Sequence, residues 1–199
     1  MSLPGSSGSE PPILHGHERT VKILIAGHFG VGKTTLVKGL SQIPPVHTEE
    51  VMTTAGQGID HTDQPEKTTT TVAMDFGRLH LSDDLVLYLF GAPGQPRFFP
   101  IARDLARGAL GALVLADTRC LEQTYPVLEL VEDLSLPYAV AVNAFDDAPT
   151  YPLPRLREVM DLTGQPTPLV TCDARDRDSS RDALITLVRH LLTLRPEST

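Results

Sequence analysis

The chain has 199 residues, 41% of them hydrophobic and 21% charged, with a formal net charge of −8. That length suits one domain with a full core, and the acidic balance argues against general nucleic-acid binding while allowing a local phosphate pocket. No apolar run approaches the roughly 20 residues that span a bilayer, and Cys120 and Cys172 stand in no C-x-x-C or His–Cys cluster, so they read as reduced thiols rather than zinc ligands.

Residues 1–18 are rich in Ser, Gly and Pro and have no hydrophobic period, which predicts a disordered arm. They lack the basic start and apolar core of a secretory signal, and Ser2 stands where myristoylation needs glycine. A folded domain is expected over 19–199. VKILIA at 21–26 is short and branched and stops at Gly27, the pattern of a buried parallel strand. Residues 33–40 read as a helix with Leu36, Val37 and Leu40 on one face, ended before Pro44-Pro45. From 41 to about 70 the chain is polar and patternless, which predicts a linker or a functional loop that orders on ligand binding. Residues 71–81 alternate as a strand, Ser82-Asp83-Asp84 turns, and LVLYLF at 85–90 returns antiparallel. Further strands are expected at 112–116, 138–142 and 169–171. Helical segments are expected at 119–133, kinked or divided by Pro126, and at 154–161, opened by Pro154. A last helix is expected from about Ser179, with Asp182 completing a capping box and Leu184, Leu187, Val188 and Leu191 as its buried stripe. This alternation predicts an α/β fold: three layers, a mostly parallel sheet with one antiparallel edge strand, and ligands beyond the carboxyl ends of the strands.

Gly27-His28-Phe29-Gly30-Val31-Gly32-Lys33-Thr34 fits G-x-x-x-x-G-K-[ST] between a buried strand and a helix, the context in which that motif holds phosphates. Phe29, Gly30, Val31, Gly32, Lys33, Thr34 and Thr35 are therefore the expected phosphate-binding residues. The backbone N–H groups and helix N-terminus face the anion, Lys33 reaches the β- and γ-phosphates, and the Thr34 hydroxyl ligates Mg²⁺. Asn143-Ala144-Phe145-Asp146 follows one strand and Cys172-Asp173-Ala174-Arg175 another, although N-x-x-D alone is a common loop pattern. The histidines, His28 included, have no metal-ligand spacing and read as solvated or packing residues.

In order, the phosphate loop, a Thr-rich strand start, Pro93-Gly94-Gln95, N-x-x-D and D-A-R resemble the motifs of Ras-like small GTPases. TVAMDF at 71–76 is similar to T-I-G-V-D-F, and LFGAPGQPRF at 89–98 is similar to I-W-D-T-A-G-Q-E-R-F. More closely, FGVGKTTL, KTTTTVAMDFGR and DDLVLYLFG resemble the actinobacterial conservon GTPases (CvnD-like, related to MglA) over residues 21–194. The resemblance implies a Ras-like P-loop fold and a signalling switch that binds GTP and hydrolyses it to GDP with Mg²⁺, slowly without a partner.

It also implies roles for single residues. Asp146 accepts from guanine N1–H and N2–H₂, and a buried Asp146 would be left unpaired by adenine. Asn143 ties that loop to the phosphate loop. The loop carrying Asp173 and Ala174 completes the base site, with the Ala174 N–H on guanine O6. Gln95 orients the attacking water and the Gly94 N–H meets the γ-phosphate. Thr71 contacts Mg²⁺ and the γ-phosphate, with Thr68, Thr69 and Thr70 as alternatives. Lys33, Gln95 and Thr71 are the catalytic set, and Thr34 and Thr71 the metal ligands. The segments before Thr71 and from Gly91 to Pro100 are the two switches.

Three departures stand out. Ala144 replaces the lysine of N-K-x-D. Gly91 replaces the aspartate of D-x-x-G, which orients Mg²⁺ through water, so the metal's surroundings must differ. Phe29 crowds the place of an arginine finger, which implies a partner that repositions Gln95, with Arg97 and Arg103 as candidate arginines in cis. The implied partners are a roadblock (MglB-like) regulator and a sensor-kinase-like membrane protein, and the implied location is cytoplasmic, with membrane contact only through partners. The residues alone also admit a nucleotide-binding module without hydrolysis, or a P-loop ATPase or kinase.

Overall fold

Successive residues of the first strand, β1 (Arg19–Ala26), point into two different cores. Ile23 and Ile25 join one apolar cluster, Leu24 and Ala26 the other, and all four are buried. A strand apolar on both faces requires a covering layer on each side. The computed structural model, which describes residues 18–44, 46–53, 69–164 and 166–194, supplies both.

Seven strands form one sheet in the order β2-β3-β4-β1-β5-β6-β7. These are β2 (Val46–Thr53), β3 (Thr69–Ser82), β4 (Leu85–Gly91), β5 (Gly111–Ala116), β6 (Tyr138–Asn143) and β7 (Leu169–Cys172), with β1 central. β1, β4, β5, β6 and β7 pair parallel, while β3 runs antiparallel to both β4 and β2. The mostly parallel three-layer α/β fold is thus present. The antiparallel strand lies one place in from the edge, because β2 forms where the sequence reading had loop. Its VHTEEVMT lacks the alternation that announces a strand, and pairing with β3 supplies what local pattern does not. Residues 1–17 and 54–68, which include nearly all of the expected arm and Thr68, lie outside the described residues.

One face is covered by α1 (Lys33–Leu40) and α5 (Arg177–Thr193), through Leu36, Val37, Leu40, Ala183, Leu184, Leu187 and Leu191. The other is covered by α2 (Phe99–Ala106), α3 (Tyr125–Asp133) and α4 (Leu153–Val159). Three expectations need correction. Pro126 occupies the first turn of α3, where its missing N–H costs nothing, so it starts the helix rather than kinking it. α5 begins earlier than Ser179: Asp176 is the cap, its carboxylate accepting from the Ser179 N–H at 2.6 Å. The loop expected to run to Pro100 is already helical at Phe99, again with proline in the first turn.

Leu187 is fully buried between α5 and the sheet, while Leu192, five residues on, is 62% exposed. Leu187→Ala should cost about 2–5 kcal/mol and lower the melting temperature by roughly 5–15 °C for a domain of this size. Leu192→Ala should leave it within about 2 °C. Thermal unfolding followed by circular dichroism checks both; equal effects would contradict the packing described.

Candidate functional site

The carboxyl end of β1 leads into a loop whose glycines are set by backbone geometry. Gly27, Gly30 and Gly32 have φ of +145°, +81° and +107°, values that side chains of L-residues rarely allow. At Gly32 a Cβ would also sit 2.6 Å from Asn143 Nδ2. The loop closes onto the N-terminus of α1, where backbone N–H groups have no helical partner and attract anions.

A cleft of about 430 Å³ opens over this loop. Phe29, Gly30, Gly32, Lys33, Thr34, Thr35, Gly94 and Gln95, all read from the sequence as site residues, line it. Gly94 packs on the loop backbone from Gly27 to Phe29, leaving no space for a side chain. Phe29 is 72% exposed at the mouth, where it would meet an incoming side chain. Lys33 Nζ donates to Gly27 O at 2.8 Å and His28 O at 2.7 Å, so its partly buried ammonium is satisfied by the loop itself. Burial pushes the Lys33 pKa down to about 8, and the nearby Asp75 carboxylate works against that shift.

Asp75 was missed by the sequence reading. It is buried on β3, directly opposite Gly91 in the β3–β4 register. The Thr34 hydroxyl donates to its Oδ2 at 2.5 Å. A Cβ on Gly91 would lie 2.9 Å from the Asp75 Cβ and 3.2 Å from Oδ2. A carboxylate on the neighbouring strand therefore fills the space beside Gly91, the position left without its aspartate. The signal is an acidic residue at an inward position of an alternating strand, a charge that needs a partner once buried.

On the other side of the loop, Asn143 ends β6. Its Nδ2 donates to Val31 O at 2.9 Å, and its Oδ1 accepts from the Ala174 N–H at 2.9 Å. Two expectations are corrected here. The buried Ala174 N–H is already committed to Asn143 rather than presented to a ligand. Asp146 is not buried: its side chain is 87% exposed, and Arg175 Nη1 donates to both its oxygens, at 3.0 and 3.1 Å. An exposed carboxylate loses little when unpaired, so burial cannot supply base selectivity. Arg175 also grips Asp173 through Nε and Nη2, and these hydrogen bonds hold the Asp173 carboxyl below its usual range.

The candidate arginines separate. Arg97 Nε donates to Gln95 Oε1 at 3.0 Å beside the cleft, whereas Arg103 is paired with Asp133 at 2.8 Å and does not line it. Thr71 lies on β3 opposite Val51, and its side chain is outside the described residues. A larger cavity of about 750 Å³ lies at the other end of the sheet, between the start of β1 and α5, and shares no residue with this cleft. Among the described residues no helix is long and apolar enough to cross a membrane.

Comparison with known proteins agrees with this geometry. A family model described as "Conserved hypothetical ATP binding protein" matches residues 25–194. Among solved structures, the cytosolic domain of the T. maritima FeoB iron transporter in a GDP form superposes with TM-score 0.62 at 19% identity, covering 89% of this chain and 66% of that one. The T. maritima FeoB G domain gives TM-score 0.59 at 21% identity, covering 86% and 99%. The elongation factor SelB from Methanococcus maripaludis, in complex with the GTP analogue GppNHp, gives TM-score 0.62 at 20% identity, covering 92% of this chain and 36% of that one. This chain therefore spans just under two thirds of the FeoB cytosolic domain and about a third of SelB. At these identities the likeness is one of fold, that of a P-loop GTPase domain. No curated protein matches the sequence.

Between about pH 8 and 10.5 the unfolded chain binds the Lys33 proton more tightly than the folded protein does. The charged lysine's penalty to the fold, present below about pH 8, is thus relieved as pH rises through that window. Lys33→Met should flatten this rise, seen as a smaller gain in melting temperature from about pH 8 to 10 than in the parent. Identical profiles would contradict a desolvated ammonium at this site.

Proposed function

We infer the chemistry of this cleft from its geometry and motif order, the chain belonging to the conserved hypothetical ATP binding protein family. It binds a purine nucleoside triphosphate across the phosphate loop, the purine is guanine, and the protein hydrolyses GTP to GDP and works as a switch. The observation that carries this reading is the Asn143 clamp. It ties the N-x-x-D loop and the loop after β7 to the phosphate loop, which supports a base site beside the phosphate cleft.

The phosphates would lie against the N–H groups of residues 29–34, with Lys33 turning from the loop carbonyls to the β- and γ-phosphates. Asp146 already holds an N–H donor between its two oxygens, and guanine N1–H and N2–H₂ offer donors of the same kind. Adenine presents an acceptor at that edge. Guanine binding would displace Arg175 from Asp146, an exposed pair of small energetic weight.

The Thr34 hydroxyl and the buried Asp75 carboxylate form an oxygen-donor set that fits Mg²⁺. With its hydrogen donated to Asp75, Thr34 Oγ1 keeps lone pairs for the ion, and Asp75 stands in for the aspartate absent at Gly91. When bound, Mg²⁺ would neutralise charge on the β- and γ-phosphates. Thr71 would contribute from β3. Gln95 would orient water once released from Arg97, and Arg97 is placed to neutralise charge developing at the γ-phosphate. Phe29 at the mouth supports slow turnover without a partner. The motif resemblance supports the conservon assignment, a roadblock (MglB-like) regulator, a sensor-kinase-like membrane partner and a cytoplasmic location.

The family's description favours a second reading, in which the purine is adenine. Titration with fluorescent GDP and ADP decides between them. GDP should bind at least about tenfold more tightly with Mg²⁺, a difference of about 1.4 kcal/mol. Asp146→Asn should erase the preference and Lys33→Ala should abolish binding. Asp75→Asn should weaken the Mg²⁺ dependence, and Gln95→Leu should slow single-turnover GTP hydrolysis about 100-fold with GDP affinity unchanged. Equal GDP and ADP affinities would overturn the guanine assignment, and no binding of either would overturn the whole reading.

A further inference from the structure

Behind the phosphate loop, three side chains converge that the nucleotide reading does not use. His28, second residue of the loop, is buried; so is Asp117, immediately after β5; Cys120, in the following turn, is partly exposed. Their nitrogen, oxygen and sulfur atoms all lie within 4.8 Å of one another. The separation of 92 positions between His28 and Cys120 hides this meeting from any reading of motif spacing.

The histidine's orientation is informative. Its Nδ1 lies 2.7 Å from Phe29 O, and a carbonyl only accepts, so Nδ1 carries the hydrogen. Burial holds the ring's pKa below the ordinary histidine value, so the imidazole is neutral and Nε2 bears a lone pair. That lone pair faces Cys120 Sγ at 3.5 Å and Asp117 Oδ2 at 4.0 Å. At rest the thiol can donate to it, and burial keeps the thiol protonated by raising its pKa.

We propose that His28 Nε2, Cys120 Sγ and Asp117 Oδ2 bind a divalent transition-metal ion of the zinc class, which pins the phosphate loop to the end of β5. Sulfur, imidazole and carboxylate ligands together select zinc-like ions over Mg²⁺ and Ca²⁺. Tetrahedral zinc places sulfur and nitrogen ligands about 3.6 Å apart and nitrogen and oxygen ligands about 3.3 Å apart. The sulfur–nitrogen distance already agrees, and Asp117 Oδ2 has to close by about 0.7 Å on His28 Nε2. The surroundings are those of held ligands. The Nδ1–H bond to a backbone carbonyl fixes the tautomer, and Arg119 steadies the Asp117 carboxylate through N, Nε and Nη2 at 2.7–3.1 Å. On binding, the Cys120 proton leaves to solvent, and the thiolate, Asp117 and Asp147 together balance the ion and the Arg119 guanidinium. Three protein ligands leave a fourth position for water, reached from the exposed side of Cys120.

The test titrates the nucleotide-free full chain with Co²⁺ as a spectroscopic stand-in for zinc. Thiolate-to-cobalt charge-transfer absorption should saturate at one ion per chain, be displaced by Zn²⁺ and persist in excess Mg²⁺. Cys120→Ser should remove the band, His28→Gln should weaken binding about tenfold or more, and Cys172→Ser, a change at the other thiol, should leave it intact. No band in the parent chain, or a band surviving Cys120→Ser, overturns the proposal. No nucleotide enters this measurement, so its failure and that of the nucleotide reading are separate results.

Discussion

The site depends on one buried amide. Asn143 donates to Val31 O and accepts from the Ala174 N–H, each at 2.9 Å, and so joins the loop after β1 to the loop after β7 from the end of β6. All three loops leave the same edge of a parallel sheet, where the topology gathers them without making them touch. The amide makes the contact, and its need for space explains Gly32, where any side chain would strike Nδ2. Leaving either partner unpaired in this buried position would cost about 1–3 kcal/mol, more than a surface loop rearrangement can recover.

An acidic chain builds an anion site here with few cations. The loop's attraction for phosphate comes from main-chain N–H groups at the head of α1, which carry no net charge, and from one lysine in a chain whose overall charge is −8. The lysine carries a cost, since its ammonium is desolvated enough to lower its pKa to about 8 and is kept in place by two loop carbonyls. Acidic groups around the site are paired with arginines: Asp117 and Asp147 with Arg119, Asp146 and Asp173 with Arg175. These pairs keep carboxylates next to a phosphate site without leaving their repulsion unanswered.

What the sequence made legible follows from where the information sits. β1, β5 and β6 are buried on both faces, so unbroken apolar runs announced them, and the phosphate loop was plain because its glycines answer local backbone demands. β2 was invisible because its pairing with β3, not its own pattern, makes it a strand. α2 was missed because Phe99-Pro100 reads as a breaker until proline is seen in a first turn. The Thr34–Asp75 bond, the Arg175–Asp146 contact and the His28–Cys120 approach were out of reach for a shared reason. Each joins residues 29 to 92 positions apart, and no spacing rule encodes a cross-strand or cross-loop meeting.

Moving a carboxylate from Gly91 to Asp75 changes more than its address. On β4 an aspartate would share a short segment with Gly94 and Gln95, so any movement of that loop would pull on the group beside Thr34. On β3 it is anchored in a strand paired on both sides. Gly91 is the condition for this, because only the absence of its side chain lets Asp75 reach Thr34 from the neighbouring strand.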